Sequence, residues 1–340
     1  MKKILLLLCV TGVLMAESLI EAAKRAGLEA IPRDEAKLLA LVEHKDNPLT
    51  PAKIELGKML FFEPRLSKSG LISCATCHNL GLGGADGLSV AIGHGWTANP
   101  LGLNTPTVYN AALFTAQFWD GRSPHLADQA KGPMVAPPEM AVDPSEAVAR
   151  IRSIPEYVRR FDEAFRGEKA PLHFDNIAKA IAAFEATLIT PSRFDDFLHG
   201  NERALSAAEK KGLSIFLEKG CTVCHNGVGI GGGSMQHFPA QGKFRYAHVG
   251  SFTGDIYGRV RVPSLRNVTL TAPYFHNGST WSLQEAVMIM GEAQLTVFVT
   301  PDDAANLAVF LKSLEGRQPQ IVYPQLPRST AQTPKPEPYE

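Results

Sequence analysis

The chain has 340 residues, of which 45% are hydrophobic, and its 34 lysines and arginines balance its 34 aspartates and glutamates. This length and apolar content suffice for about two domains with buried cores. A formal charge of zero argues against nucleic acid or an anionic membrane as the main partner.

The first sixteen residues predict a signal peptide. Lys2 and Lys3 form a short positive region, residues 4–15 are mostly apolar, and Ala16 supplies a small residue for cleavage. We therefore expect export and a mature chain that begins near Glu17, with an uncleaved anchor as the alternative. No later segment is long and apolar enough to predict a membrane span.

Two segments carry matching helix signals. Thr50 and Pro51 begin the first, while a capping box of Ser206 and Glu209 begins the second, which Gly220 ends. Three positions correspond between the two predicted helices: Gly57, Leu60 and Phe61 in the first, and Gly212, Ile215 and Phe216 in the second.

A second pair of helices is predicted further along each half. Apolar residues at helical spacing form one stripe at Ile177, Ile181, Phe184 and Leu188, and another, capped by Thr300, at Leu307, Phe310, Leu311 and Leu314. Each half thus combines two helices with an irregular middle, which indicates an internal duplication; chance similarity of amphipathic helices is the alternative. We predict a mostly α-helical protein with domains at residues 17–190 and 191–326, and a disordered, proline-rich tail at 327–340.

A Cys-x-x-Cys-His motif lies between the two helices of each half. The first motif contains Cys74, Cys77 and His78, and the second contains Cys221, Cys224 and His225. Since Cys9 falls in the predicted signal peptide, the mature chain has no spare thiol for a structural disulfide.

This motif is the attachment signature of haem c, in which two thiols form thioethers and the histidine binds iron. Zinc is the first alternative, but the two pairs are too far apart for a ribbon, and a histidine after each would be a coincidence. A dithiol redox site would need a βαβ setting, which the sequence does not predict. We therefore predict two covalently bound haems c, each wrapped by one cytochrome c-like domain, with His78 and His225 as proximal ligands.

The sixth iron ligands remain open from spacing alone. The candidates in the first half are His94, His125 and His173, and those in the second half are Met235, Met288, Met290, His237, His248 and His276.

Ordered motifs make the chain resemble the bacterial di-haem cytochrome c peroxidases. From about Pro51 to Pro327 the chain contains, in order, "GKMLFFEPRLS", "CATCH", "GHGW", "PTVYNAA", "FWDGR", "QAKGP", "CTVCH", "VPSLRN", "TAPYFHNGS" and "MGEAQL". The resemblance implies a periplasmic homodimeric enzyme. It implies that the enzyme reduces hydrogen peroxide to water with electrons from small c-type cytochromes or a comparable carrier.

The resemblance also implies roles for individual residues at the two haems. His94 matches a sixth ligand of the N-terminal haem that leaves on activation, and Met290 matches the sixth ligand of the C-terminal haem. Gln129 and Glu139 match the polar pair of the peroxide pocket, and Trp119 matches the aromatic residue between the haems.

A calcium ion at the domain interface is a further implication of the resemblance. Asn104, Thr271 and Pro273 match its ligands, the last two through backbone carbonyls. Two departures from the family pattern are Thr296, where the family usually has glycine, and residues 97–103, which match poorly.

Two other functions remain as alternatives. A non-enzymatic di-haem electron carrier would need both irons permanently six-coordinate. A related di-haem enzyme class oxidises residues on a partner protein, but it has tyrosine where this chain has Met290.

Overall fold

Helices provide most of the regular structure in the computed structural model, which describes residues 17–241, 243–244 and 250–337. The α-helices of these residues are α1 (Leu19–Arg25), α2 (Glu35–Val42), α3 (Pro51–Phe61), α4 (Cys74–Cys77), α5 (Leu126–Val135), α6 (Pro144–Arg152), α7 (Pro155–Ala164), α8 (Phe174–Glu185), α9 (Arg193–Leu198), α10 (Ala207–Glu218), α11 (Leu283–Met290) and α12 (Pro301–Lys312). The prediction of a mostly α-helical fold is confirmed.

Short strands and tight helical turns complete the described structure. Strand β1 (Met235–His237) pairs antiparallel with β2 (Arg259–Arg261), so that Met235 lies opposite Arg261. The turns of 3-10 helix are Pro64–Leu66, Leu80–Leu82, Ala111–Leu113, Glu202–Ala204, Cys221–Val223 and Val268–Leu270, and a π-helical turn spans Gly291–Leu295.

The helix signals of the sequence give the expected starts. The Thr50 side chain accepts a hydrogen bond from the backbone of Lys53, and Pro51 is the first residue of α3. At α10, Ser206 and Glu209 form the predicted capping box, in which each side chain bonds the other residue's backbone N–H. These bonds satisfy N–H groups that have no partner within the helix.

One close helix contact occurs in each half, at the glycines that the sequence pattern placed in register. A Cβ atom at Gly57 of α3 would lie 1.8 Å from the carbonyl oxygen of Ala180 in α8. A Cβ atom at Gly212 of α10 would lie 2.2 Å from the carbonyl oxygen of Asn306 in α12. Corresponding pairs of helices therefore pack through corresponding glycines in the two halves, as a duplication predicts.

The described residues form two hydrophobic cores, and the chain changes from the first to the second between Leu188 and Phe194. The start of the described chain departs from the predicted division into domains. Ile20, Ala23 and Leu28 pack in the second core, although the sequence assigned residues 17–190 to the first domain. The spacing of this short helix could not reveal which core it covers.

The C-terminal tail differs from the predicted disorder as far as residue 337. It lacks helix and strand, but the Pro327 carbonyl accepts a hydrogen bond from Arg65 Nη2 (2.9 Å), and the Glu337 N–H donates to the Lys68 carbonyl (3.0 Å). Thr330 Oγ1 also donates to the Ser153 carbonyl (3.0 Å). Its polar groups have partners on the first half, which composition alone could not show.

No helix within the described ranges is both long and apolar enough to cross a membrane. The predicted signal peptide, residues 1–16, lies outside those ranges.

The two glycine contacts predict matched losses of stability. Gly57→Ala and Gly212→Ala should each destabilise the protein by about 1–3 kcal/mol or more, because the added methyl group meets backbone that cannot rotate away. Thermal and urea unfolding of the purified protein measure the loss.

Gly233→Ala is the matched control, since a Cβ atom there meets nothing within 4 Å. Wild-type stability in both helix variants would show that the helices separate at little cost, contrary to the packing described here.

Candidate functional site

The first Cys-x-x-Cys-His motif lies on one wall of a partly open cavity. Cys74 and Cys77 are the two ends of α4, and the backbone N–H of His78 donates to the Cys74 carbonyl (2.8 Å). His78 Nδ1 lies 3.4 Å from the carbonyl oxygen of Gly84 in the glycine-rich loop that follows. Burial lowers the pKa of His78, so a neutral imidazole is presented to the cavity.

Gln129 and Glu139 share this cavity with the motif. Gln129 lies on α5, and Glu139 lies in the turn that follows this helix. Asn99 Nδ2 donates a hydrogen bond to Glu139 Oε1 (3.2 Å), while burial raises the pKa of the Glu139 carboxyl. The structure therefore brings both residues of the predicted peroxide pocket beside the first motif.

A second carboxyl, Glu185, lines the same cavity from the end of α8. The side chain is 5% exposed, and Oε2 has no hydrogen-bond partner among the residues described. Burial raises the pKa of Glu185 to about 8. Because an ionised carboxylate is costly to bury, this group holds its proton at neutral pH.

His94 is buried near the first cavity but is not among the residues that line it. Its backbone N–H donates to the Glu139 carbonyl (2.8 Å), and Nδ1 has no hydrogen-bond partner in the described ranges. The alternatives have contacts elsewhere: His125 Nδ1 accepts from the Asp128 N–H (3.1 Å), and His173 Nε2 lies 3.3 Å from Glu168 Oε2.

The second motif lines a second, partly open cavity. Cys221 begins a 3-10 turn, and the backbone N–H of His225 donates to the Cys221 carbonyl (3.0 Å). Burial lowers the pKa of His225 to about 4, so this imidazole is also neutral. Cys224 lies on the same wall.

Met290 is the methionine that faces the second cavity. It ends α11, where the helix continues as the π-helical turn Gly291–Leu295, and it is among the lining residues, whereas Met288 and Met235 are not. His276 also lines this cavity, and its ring centroid lies 6.3 Å from that of Trp119. His237 does not line the cavity, and His248 lies outside the described residues.

The two cavities share a wall around Trp119. Trp119, Asn104 and Arg261 line both cavities. Trp119 Nε1 donates to the Asn104 carbonyl (2.9 Å), and the Arg261 N–H donates to the Trp119 carbonyl (2.7 Å). The indole ring is therefore fixed between the two motifs by hydrogen bonds at its side chain and at its backbone.

The residues predicted to bind calcium share one cavity. Asn104, Thr271 and Pro273 all line the second cavity. Asn104 Nδ2 donates to the Leu88 carbonyl (2.7 Å), which leaves the amide oxygen as the acceptor of that side chain. In the described part of the chain no group of three or more His, Cys, Asp or Glu could hold a metal ion. Calcium here would thus rely on neutral oxygen ligands, and its binding stays a prediction.

The chemistry of both cavities fits a haem c. Each presents two thiols and one neutral imidazole from a single turn, and most of its other lining residues are apolar. The four cysteines of the described residues form no disulfide, so all the thiols are available for thioether bonds.

Residues of these cavities that sequence reasoning missed include Asn99, Glu185 and Arg261. Glu185 lies within the predicted helical stripe but was not singled out, and Arg261 stands next to the quoted segment "VPSLRN" without being part of it. A charged residue inside an otherwise apolar helix face was the available signal for Glu185.

Comparisons with known proteins agree with this geometry. Residues 51–203 match the family model described as di-haem cytochrome c peroxidase, and residues 209–315 match the cytochrome c model. The chain is 48% identical to the cytochrome c551 peroxidase of Pseudomonas aeruginosa, covering 87% of this chain and 88% of that relative. It is 45% identical to the cytochrome c551 peroxidase of Nitrosomonas europaea, covering 84% and 86%.

More distant relatives include other di-haem proteins. The methylamine utilization protein MauG of Methylorubrum extorquens is 38% identical, covering 83% of this chain and 84% of that relative. The crystal structure of a MauG-like protein associated with microbial copper homeostasis has 28% identity and a TM-score of 0.72, covering 81% of this chain and 92% of that chain.

Proposed function

We propose, from the premise that this chain belongs to the di-haem cytochrome c peroxidase family, that its two cavities divide one reaction between them. The protein reduces hydrogen peroxide to water with electrons from small c-type cytochromes. Peroxide reacts in the first cavity, and electrons enter through the second.

The observation that carries this division is the different chemistry of the two linings. Glu139 and Glu185 line the first cavity, whereas no carboxyl side chain is found among the described residues that line the second. Reduction of one peroxide molecule consumes two protons and two electrons and releases two waters. A cavity with buried acids suits the proton transfers, and one with the thioether of Met290 suits electron storage.

When bound, a haem in each cavity supplies an iron that carries electrons and, in the first cavity, a coordination position for peroxide. The thiols of Cys74, Cys77, Cys221 and Cys224 would hold the two haems, and His78 and His225 would be the proximal ligands.

Glu139 moves the proton in the proposed reaction. The carboxyl takes a proton from one peroxide oxygen and returns it to the oxygen that leaves as water, while Asn99 keeps one carboxyl oxygen in place. Burial raises the pKa of the Glu139 carboxyl, which brings it closer to the range in which a general acid or base is effective. Gln129, on the same lining, orients the peroxide through its amide.

Met290 is proposed as the sixth ligand in the second cavity, and Trp119 as the link between the two haems. A thioether ligand favours the reduced iron more than a second imidazole does, so the second haem receives electrons readily. Trp119 lies on the wall common to both cavities and provides an aromatic path through it.

His94 is proposed as a removable ligand that closes the first cavity. The structure has its side chain off the cavity lining, with its backbone N–H bonded to the carbonyl of Glu139. This arrangement supports an open state in which the backbone of Glu139 is held by the His94 loop. His94 as an iron ligand would block the position that peroxide needs, and a switch between the two loop states requires that their free energies differ by only a few kcal/mol.

The protein also binds one calcium ion, is located in the periplasm and forms a homodimer in this proposal. Asn104, Thr271 and Pro273 hold one Ca²⁺ through oxygen atoms beside the shared wall. The protein works in the periplasm, where the predicted signal peptide would direct it, and it forms a homodimer as the family resemblance implies.

Peroxide-dependent oxidation of reduced cytochrome c tests the function directly. The purified holoprotein should oxidise the cytochrome, and the rate should be compared before and after one-electron reduction of the enzyme. If no cytochrome c is oxidised under either condition, the result would favour a non-enzymatic electron carrier. Oxidation of a partner protein instead of cytochrome c would favour the related enzyme class.

Loss of the proton-transfer group should reduce turnover without removing haem. Glu139→Gln and Glu139→Ala should each lower peroxide turnover by roughly 100-fold, the usual scale for a general acid or base, and leave both haem spectra nearly unchanged. Glu55→Gln, on the exposed side of α3, is the control. Wild-type turnover in the Glu139 variants would remove this residue from the mechanism.

Replacement of the Met290 thioether should lower the reduction potential of the second haem. Met290→His supplies a more basic ligand that favours ferric iron, so the potential of the second haem should fall and electron entry should slow. Redox titration followed by absorption measures the change. An unchanged potential with Met288 and Met235 intact would transfer the ligand role to another residue.

Removal of the proposed closing ligand should open the first haem. His94→Gly should give a first haem in the oxidised protein that is five-coordinate or water-bound and reacts with peroxide without prior reduction. Electron paramagnetic resonance and stopped-flow absorption follow these changes. If the first haem of this variant stays low-spin and bis-ligated and does not react with peroxide, His125 or His173 becomes the candidate for the removable ligand.

A further inference from the structure

Arg261 is a buried cation in the wall between the two cavities. It is the last residue of β2, its side chain is 3% exposed, and it lines both cavities. Across the described chain it has no ion pair with Asp or Glu, and Nη1 has no hydrogen-bond partner. A guanidinium without a carboxylate partner is costly in such a place, because burial removes its hydration and no opposite charge compensates the loss.

The other fully buried arginines show how this chain normally satisfies such a group. Arg266 donates to both carboxylate oxygens of Asp195, at 2.8 and 2.9 Å. Arg150 pairs with Glu146 and donates to backbone carbonyls, among them that of Lys68 (3.1 Å). Arg261 alone among these three lacks an acidic partner in the described residues.

The side chain of Arg261 is nevertheless fixed in position. Nε donates to the Phe118 carbonyl (3.1 Å), and the guanidinium lies 4.7 Å from the ring centre of Phe114 and 5.9 Å from that of Trp119. Burial lowers the pKa of Arg261 to about 10, so the group remains a cation at neutral pH. The protein thus holds a charged fork in place and leaves part of its donor capacity unused.

The direction of this side chain favours the first cavity. Val260 and Val262, on either side of Arg261, line only the second cavity, whereas Arg261 also reaches the first. Successive side chains of a strand point to opposite faces, and the carbonyl that accepts from Nε belongs to Phe118, which lines the first cavity.

We propose that Arg261 binds a propionate carboxylate of the haem in the first cavity and thereby raises the reduction potential of that haem. A haem c carries two propionates, which are the anionic groups that it brings into an apolar cavity. A guanidinium binds a carboxylate through parallel hydrogen bonds, and a fixed positive charge near iron favours the reduced form. The inference rests on the proposed haem in the first cavity.

Spectroelectrochemical titration of the purified holoprotein tests this role, after haem counting has shown two haems per chain. Arg261→Gln should lower the potential of the first haem by about 60 mV, which corresponds to a tenfold change in a one-electron equilibrium. The potential of the second haem should change less, and Arg261→Lys should recover part of the loss because it restores the charge.

Arg150→Gln is the matched control, since Arg150 is an equally buried arginine outside both cavities. Arg150→Gln should lower the stability of the protein and leave the reduction potentials of both haems unchanged. An Arg261→Gln protein with two haems and an unchanged first potential would overturn the inference, while its peroxide turnover would show whether the proposed function survives.

If the Arg261→Gln protein does not acquire both haems, the structure of the wild-type holoprotein tests the inference instead. A propionate oxygen of the first haem at roughly 2.7–2.9 Å from the Arg261 guanidinium would support the pairing. A guanidinium beyond reach of both propionates of that haem would overturn it. A chain without haem in the first cavity would instead contradict the proposed function.

Discussion

The shared wall around Trp119 is the constraint on which the rest of the site depends. The indole N–H bonds the carbonyl of Asn104, and the backbone carbonyl of Trp119 accepts from the N–H of Arg261, so residues from distant parts of the chain hold one ring. This wall fixes how the two cavities face each other. Two haems bound in these cavities would therefore keep a fixed distance and orientation relative to each other. Electron transfer between the haems requires such a fixed arrangement.

Around this wall the chain uses one packing arrangement twice. The contacts at Gly57 and Gly212 bring the backbones of paired helices together in each half, and a Cys-x-x-Cys-His turn stands beside each pair. The difference lies in the side chains that reach each cavity: Glu139 and Glu185 line the first, and no carboxyl side chain lines the second among the described residues. Duplication explains the common architecture, and substitution at a few lining positions accounts for the proposed specialisation.

The sequence predicted those features that depend on local chemistry. The caps at Thr50 and Ser206 are local hydrogen bonds, and the haem motifs are short patterns, so both could be recognised without a structure. The packing of Ile20 in the second core, the contacts of Pro327 with the first half, and the unpaired charge of Arg261 depend on distant residues. The position of His94 off the cavity lining reflects a loop conformation, which a spacing of residues does not define.

Cyanide binding to the half-reduced holoprotein tests the division between the two cavities most directly. Cyanide occupies an open coordination position on ferric haem, and the spectra of the two haems can be followed separately during a titration. The account predicts one cyanide per chain, bound at the first haem, while the second haem keeps its methionine ligand. Binding at the second haem, or no binding at either haem, would contradict it.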